Sequence, residues 1–232
     1  GKLPVTVCDT YQYGSGIAAS GFFLPRTNPD EAGLDPVKLN VIDSIVNDAI
    51  EKGATPGGVM LVVKNSKIAY HKAYGNYTYD KTEPVQLESV FDMASVTKIC
   101  ATTISVMKLY DEGKIDLKKT LGDYLPWVKG SNKENLLIEN ILLHQAGLVS
   151  YIPFYKETID SAGNPSPKYY ATTASDSFSI RVAQNLFMRN AWRDTLYQRI
   201  LQSPLAETGK YIYSDNDFIF LGKIVEAVSG QT

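Results

Sequence analysis

The 232-residue sequence has almost no surplus of charge of either sign: 23 lysines and arginines face 25 aspartates and glutamates, a net of −2. That balance gives no reason to place a nucleic acid or another polyanion among its partners. Long apolar runs are missing too. No stretch approaches the roughly 20 residues that span a bilayer, and Gly1-Lys2-Leu3-Pro4 lacks the apolar core of a signal peptide. Only two cysteines occur, Cys8 and Cys100, far apart and without metal-ligand spacing, so no metal and no cofactor is expected. Cys100 lies inside an apolar run and reads as a small core residue. What is present, an apolar fraction of 44%, is the composition of a globular protein with one large domain, or one domain plus an appendage.

Local signals divide the chain. Val5 to Ile17 shows no helical period and suggests strand and loop, and Pro25-Arg26-Thr27-Asn28-Pro29-Asp30-Glu31-Ala32-Gly33 has the composition of a linker. A helix is then expected from Asp35 as N-cap and Pro36 at the first helical position to Gly53, with Val37, Val41, Ile42, Ile45, Val46 and Ile50 on one face. Gly58 to Val63 and Ile68 to Tyr74, separated by Asn65-Ser66, predict a hairpin. Ile99 to Tyr110 is apolar nearly all round and predicts a central buried helix. Another helix is expected over Ile138 to Leu143, with Gly147 suited to a left-handed cap. Tyr151 to Ser175 is rich in Pro, Ser and Tyr and predicts a long surface excursion bordering a cleft. Val182 to Leu201 has a helical pattern, and a last helix runs from about Asn216 to Val228, closed by Gly230.

Chemistry concentrates in Ser95-Val96-Thr97-Lys98. A serine hydroxyl needs a base to become a nucleophile, and a lysine three residues along a helix shares its face. The spacing alone is weak evidence, since about one such match is expected by chance in a chain of this length and Ser105-Val106-Met107-Lys108 is a second. Position separates them. Ser95 follows a stretch without helical period and stands at a helix start, where free N–H groups and the dipole favour an oxyanion, whereas Ser105 lies mid-helix. The bland alternative for Ser95 is an ordinary N-cap serine. Further along, Tyr213-Ser214-Asp215-Asn216 precedes the last helix. His144 invites a triad with Ser95 and an aspartate, but a histidine beside a helix-ending glycine reads as capping or packing. His71 in a strand pattern gets the same reading, and Asp92 reads as a loop or capping residue.

A hairpin, Ser-x-x-Lys opening an apolar helix, Leu142-Leu143-His144-Gln145-Ala146-Gly147-Leu148, and Tyr-Ser-Asp before another helix together resemble the serine β-lactamase and penicillin-binding-protein-like family, in particular its class C and esterase-like branch. The resemblance covers about residues 34 to 232. It implies an α+β fold of the β-lactamase/transpeptidase type, a helical cluster plus an antiparallel sheet that is incomplete here. It also implies that Ser95 attacks a carbonyl while Lys98 and Tyr213 move the proton. The second motif also contains the Ser-Asp-Asn of class A enzymes, but Phe218, Leu221 and Gly222 stand where the class C-like branch has its aromatic and Leu-Gly, favouring Tyr213 over Ser214. Asp215 replaces the usual Asn in the substrate-binding position, which would stabilise charged Lys98 and puts the usual lysine role in question.

The sequence stops at Thr232, before the family's third motif, a Lys/His-Thr/Ser-Gly strand. A truncated piece is therefore expected, deficient in catalysis, with a hairpin edge open to self-association. Residues 1–25 resemble the C-terminal end of a family 3 glycoside hydrolase, giving a division into 1–24 as a remnant of a preceding domain, 25–33 as linker and 34–232 as the β-lactamase-like part. The family implies a bacterial periplasmic or cell-surface location and a cell-wall-related role. Two functions stand: a serine acyl hydrolase acting on a β-lactam, D-alanyl peptide or ester through an acyl-serine, or a non-catalytic module that binds muropeptides. Asp215 favours the second, and intact Ser95, Lys98 and Tyr213 favour the first.

Overall fold

The computed structural model describes residues 23–231. Nearly all of the glycoside-hydrolase-like segment, Val5 to Ile17 included, lies outside the described residues. The chain forms two compact units, residues 1–91 and 92–232.

In the first unit Asp35 caps α1 (Pro36–Leu39), its Oδ1 accepting from Val37 N at 2.9 Å and Lys38 N at 3.2 Å. The single helix expected from Pro36 is split at Asn40, and α2 (Val41–Glu51) carries it on to a left-handed Gly53 (φ 70°). The hairpin forms as expected from β1 (Gly57–Lys64) and β2 (Lys67–Gly75). Asn65 and Ser66 both take φ near +55° (53° and 57°), which suits the twist of a two-residue antiparallel turn. Tyr74 Oη donates to Asp43 Oδ1 at 2.8 Å, tying α2 to β2. Linker residues follow β2: Ile68 N donates to Pro25 O at 2.8 Å and Thr27 N to Ile68 O at 3.0 Å. The other edge of the hairpin, along β1, is unpaired among the described residues.

The second unit is mainly helical. A helix opening after Ser95 passes through a π-helical segment, Lys98–Thr103, into α3 (Ile104–Asp111). Short helices α4 (Leu121–Tyr124), α5 (Ile138–Leu142) and α6 (Tyr155–Thr158) follow. Three short antiparallel strands, β3 (Tyr170–Ala171), β4 (Ile180–Ala183) and β5 (Leu186–Met188), pair in the order β3-β5-β4. Then come α7 (Asn190–Gln202) and α8 (Asp215–Ser229), the latter closed by left-handed Gly230 as its sequence predicts. α8 supplies the centre of the core: Phe220, Leu221 and Ile224 are fully buried against Val106, Leu109 and Ile141. Burial of each is worth about 1.5–3 kcal/mol.

Three expectations are overturned. The helix read over Val182 to Leu201 starts only at Asn190, because the residues before it turn at Asn185 (φ 51°) and pair as β4 and β5. The helix after Ser95 is not buried all round: Val106 and Leu109 enter the core, while Ile99 is 64% exposed and Ile104, Met107 and Tyr110 are exposed too. Its packing is one-sided, and an apolar side chain is buried only where another element covers it. Cys100 is likewise exposed and is not a core residue.

Lys133 is 0% exposed, and its hydrogen bonds go to an amide oxygen and two backbone carbonyls. Its three donors are met by Asn132 Oδ1 at 2.8 Å, Leu201 O at 3.1 Å and Ser203 O at 2.6 Å, which fastens the end of α7 to the turn before α5. Burial draws its pKa below the usual lysine value. Lys133→Met keeps the stem but strands two buried carbonyls, and is expected to cost about 3 kcal/mol, a fall in Tm of roughly 6–12 °C by calorimetry. An unchanged Tm would show that the three bonds contribute nothing net.

Candidate active site

Ser95 stands at the mouth of its helix. Ala94, immediately before it, is held at φ 42°, and Asp92 Oδ1 accepts from Ala94 N at 2.8 Å, so Asp92 serves the turn. Lys98 N donates to Ser95 O at 3.0 Å, closing a turn that sets both side chains on one face. Lys98 Nζ donates to Ser95 Oγ at 3.1 Å and to Asp215 Oδ1 at 2.7 Å. It also lies 5.2 Å from the centre of the Tyr213 ring. The rival Ser105 points its hydroxyl back to Ala101 O at 2.9 Å, the ordinary fate of a mid-helix serine.

The ambiguous second motif separates cleanly in space. Ser214 is buried and fully engaged: its Oγ donates to Val149 O at 2.6 Å and accepts from Asn216 N at 3.1 Å, capping α8. Tyr213 is 41% exposed and turns to Ser95 and Lys98. Ser95, Lys98, Tyr213 and Asp215 are thus brought together.

The electrostatics follow from these contacts. Hydrogen bonds from Ser95 and Lys98, and the charge of Lys98, hold the Tyr213 phenol below the usual tyrosine value, against the opposing effects of desolvation and, smaller, of Asp215. Partial burial works to lower Lys98, but the hydrogen bonds and charges of Asp215 and Tyr213 outweigh it and raise it above an ordinary lysine. Lys98 is therefore an ammonium at neutral pH. The arrangement can polarise a hydroxyl, accept its proton on a phenolate and stabilise the negative charge so produced. A cleft of about 440 Å³ opens beside these groups, its walls including Val96, Ile99, Tyr211 and Phe218. Among the described residues no group of three metal-ligating side chains occurs.

One member of that cleft, read from sequence as a capping or packing residue, packs on Tyr211, Tyr213 and Phe218 and has an acidic partner besides. His144 lines it and bonds through Nδ1 to Asp217 Oδ2 at 2.7 Å, although 73 positions separate the two residues. The signal was there: Asp217 falls on the same stripe of α8 as Phe220, Leu221 and Ile224, an acid on the buried face. His71, by contrast, stays on β2, its Nδ1 3.0 Å from Arg26 Nη2.

Residues 42–232 match the family described as Beta-lactamase. The chain belongs to the beta-lactamase family. Within it, the chain is 31% identical over 219 residues to an N-acetylmuramyl-L-alanine amidase of Bacillus subtilis (strain 168), covering 88% of this chain and 44% of that protein. It is 30% identical over 242 residues to a protein of Salmonella paratyphi A named "Putative D-alanyl-D-alanine carboxypeptidase", covering 98% of this chain and 50% of that protein. This beta-lactamase-family chain therefore spans about half the length of the curated relatives it matches. Its fold is that of a solved class C beta-lactamase, with a TM-score of 0.61, 18% identity, and coverage of 89% of this chain and 47% of that one. Helices with antiparallel sheets, the family's arrangement, are what the described residues form.

Proposed function

We propose that this protein is a serine acyl hydrolase of the bacterial cell envelope, acting on a D-alanyl peptide, a β-lactam or a small ester through an acyl-Ser95 intermediate. The observation that carries this reading is the polarity of one hydrogen bond. Lys98, held as an ammonium by Asp215, donates to Ser95 Oγ, so the hydroxyl hydrogen is free to go to Tyr213. In the first step Oγ bonds to the carbonyl carbon and its proton passes to the Tyr213 phenolate. As the tetrahedral intermediate collapses, the bond to the leaving group breaks and Tyr213 returns the proton to the departing nitrogen or oxygen. Water then attacks the acyl ester, giving its proton to Tyr213, and Ser95 regains a hydrogen as the acid leaves. Lys98 stays cationic throughout and stabilises the charge, which answers the question that Asp215 raises about its role.

Two cell-wall names among the relatives, an amidase and a carboxypeptidase, support a muropeptide-like substrate and a periplasmic or cell-surface location. Among the described residues no helix is long and apolar enough to cross a membrane. The test is to incubate the protein, as its gene encodes it, with a fluorescent penicillin, a fluorophosphonate and a D-alanyl-D-alanine peptide, and to map adducts by mass spectrometry. An acyl or phosphonyl group on Ser95 supports the reading. Binding of the peptide without any Ser95 adduct would replace it with a recognition module.

Asp215 makes a pH prediction. Its charge raises both Lys98 and Tyr213, so removing it lets both titrate at lower pH. The rate rises as Tyr213 loses its proton; in Asp215→Asn the acid limb of kcat/KM should therefore move to lower pH. A limb that stays put or moves upward would remove Tyr213 from the base's role.

A further inference from the structure

His144 holds the main chain on both sides of Tyr213. Its carbonyl oxygen accepts from Ile212 N at 2.8 Å, and its ring Nδ1 accepts from Ser214 N at 3.2 Å. The ring packs against the Tyr213 ring at 4.6 Å between centres. His144 sits in the left-handed region at φ 55°, which an L residue adopts only at a cost.

The same Nδ1 is also 2.7 Å from Asp217 Oδ2, and one ring nitrogen cannot both donate to a carboxylate and accept from a backbone N–H. If Nδ1 carried hydrogen, the Ser214 N–H would face another N–H. If Nδ1 carries its lone pair, neither contact is repulsive: the lone pair is shared between a short bond from the acid, which supplies the hydrogen, and a longer one from the Ser214 N–H. A second observation agrees. Asp217 is 1% exposed and its Oδ1 has no hydrogen-bond partner, a place where a carboxylate oxygen would be far more costly than the carbonyl oxygen of a neutral acid.

We propose that Asp217 and His144 form a neutral acid–imidazole pair, the proton on the Asp217 carboxyl and the His144 hydrogen on Nε2, and that this pair is what positions Tyr213. This rests on the acyl-hydrolase reading above and extends it to the residues that flank Tyr213: His144 and Asp217 are positioning residues that act through Tyr213. Burial pushes the Asp217 carboxyl up to about 8, and burial together with the charge of Lys98 depresses His144, so the pair is neutral at pH 7. The groups facing the imidazole are Asp217 and Asp215 from α8, Lys98 from the helix after Ser95, and Tyr211 and Tyr213 from the preceding strand-like loop. Above the Asp217 pKa the new carboxylate draws hydrogen to Nδ1, the Ser214 N–H loses its acceptor, and the grip on Tyr213 is released. The pair thus switches the site off on the alkaline side.

The direct test needs no variant of the pair. Nitrogen-15 NMR of the imidazoles at pH 6.5, with His71→Gln used to remove the signal of the other histidine of this sequence, should show His144 neutral, Nδ1 as the unprotonated acceptor and Nε2 bearing hydrogen. A doubly protonated ring, or hydrogen on Nδ1, overturns the inference whatever the activity. The kinetic test follows fluorophosphonate labelling of Ser95 against pH. Wild type should lose rate above about pH 8, Asp217→Asn, whose amide donates at every pH, should not, and His144→Phe should label tenfold or more slowly throughout. Ser95-dependent labelling in which Asp217→Asn keeps the wild-type alkaline limb also overturns it. Complete absence of Ser95 labelling would instead defeat the acyl-hydrolase reading, and the NMR result would still decide the state of the pair.

Discussion

Ser95→Ala is expected to abolish covalent labelling by penicillin and fluorophosphonate, and to lower hydrolysis of a D-alanyl peptide or ester by on the order of 10³-fold or more. The size follows from what the hydroxyl does. Ser95 Oγ is the atom to which Lys98 donates and from which Tyr213 takes the proton; without it no acyl-enzyme forms, and only direct attack by water remains. The substitution should leave the fold intact, since Ser95 is exposed and its side chain bonds to Lys98 and Tyr213 rather than to the core. Peptide affinity measured by calorimetry should therefore survive while turnover disappears. Turnover within tenfold of wild type would mean that Ser95 is only a helix-start residue.

Tyr213→Phe comes second in size, with kcat/KM expected to fall about 10²- to 10⁴-fold, the usual worth of a positioned acid–base group. Phenylalanine keeps the ring that packs on His144 and lies beneath Lys98 and removes only the oxygen. The acid limb attributed to Tyr213 should vanish along with the rate, because the other group of the cleft held below its ordinary value, His144, has its Nδ1 engaged with Asp217 and the Ser214 N–H. Lys98 cannot replace it, being raised by Asp215. A variant that retains a third of wild-type acylation would transfer the base's role elsewhere, with Lys98 the first candidate.

The elements legible in the sequence are those whose signals are local. Asp35-Pro36 caps a helix, Asn65-Ser66 turns a hairpin and Gly230 stops α8, because cap and turn preferences act within a few residues. Ser95, Lys98 and Tyr213 were legible as an ordered series of motifs, and the offsets of Phe218, Leu221 and Gly222 chose Tyr213 over Ser214 before any geometry was known. What failed depends on partners distant in sequence. The β4–β5 hairpin overrode a helical pattern because β5 also pairs with β3. The exposure of Ile99 and Cys100 is set by which side of the helix is covered, not by how apolar its residues are. His144 was taken for a packing residue because its own neighbourhood, Gln145-Ala146-Gly147, is that of a helix end; the acid that gives it a further role arrives 73 positions later.

The π-helical segment at Lys98–Thr103 gives the site a freedom that a regular helix would deny it. In an unbroken α-helix each residue advances the facing direction by about 100°, so the bearing of Ser95 and Lys98 would be locked to that of Val106 and Leu109, which are anchored in the core. Widening the ladder by one residue between the two inserts a phase offset. The reactive turn can then be aimed at Tyr213 independently of the angle at which the helix must lie on α8. The lower helix answers to packing and the upper turn to chemistry, with the wide turn as the joint that reconciles them.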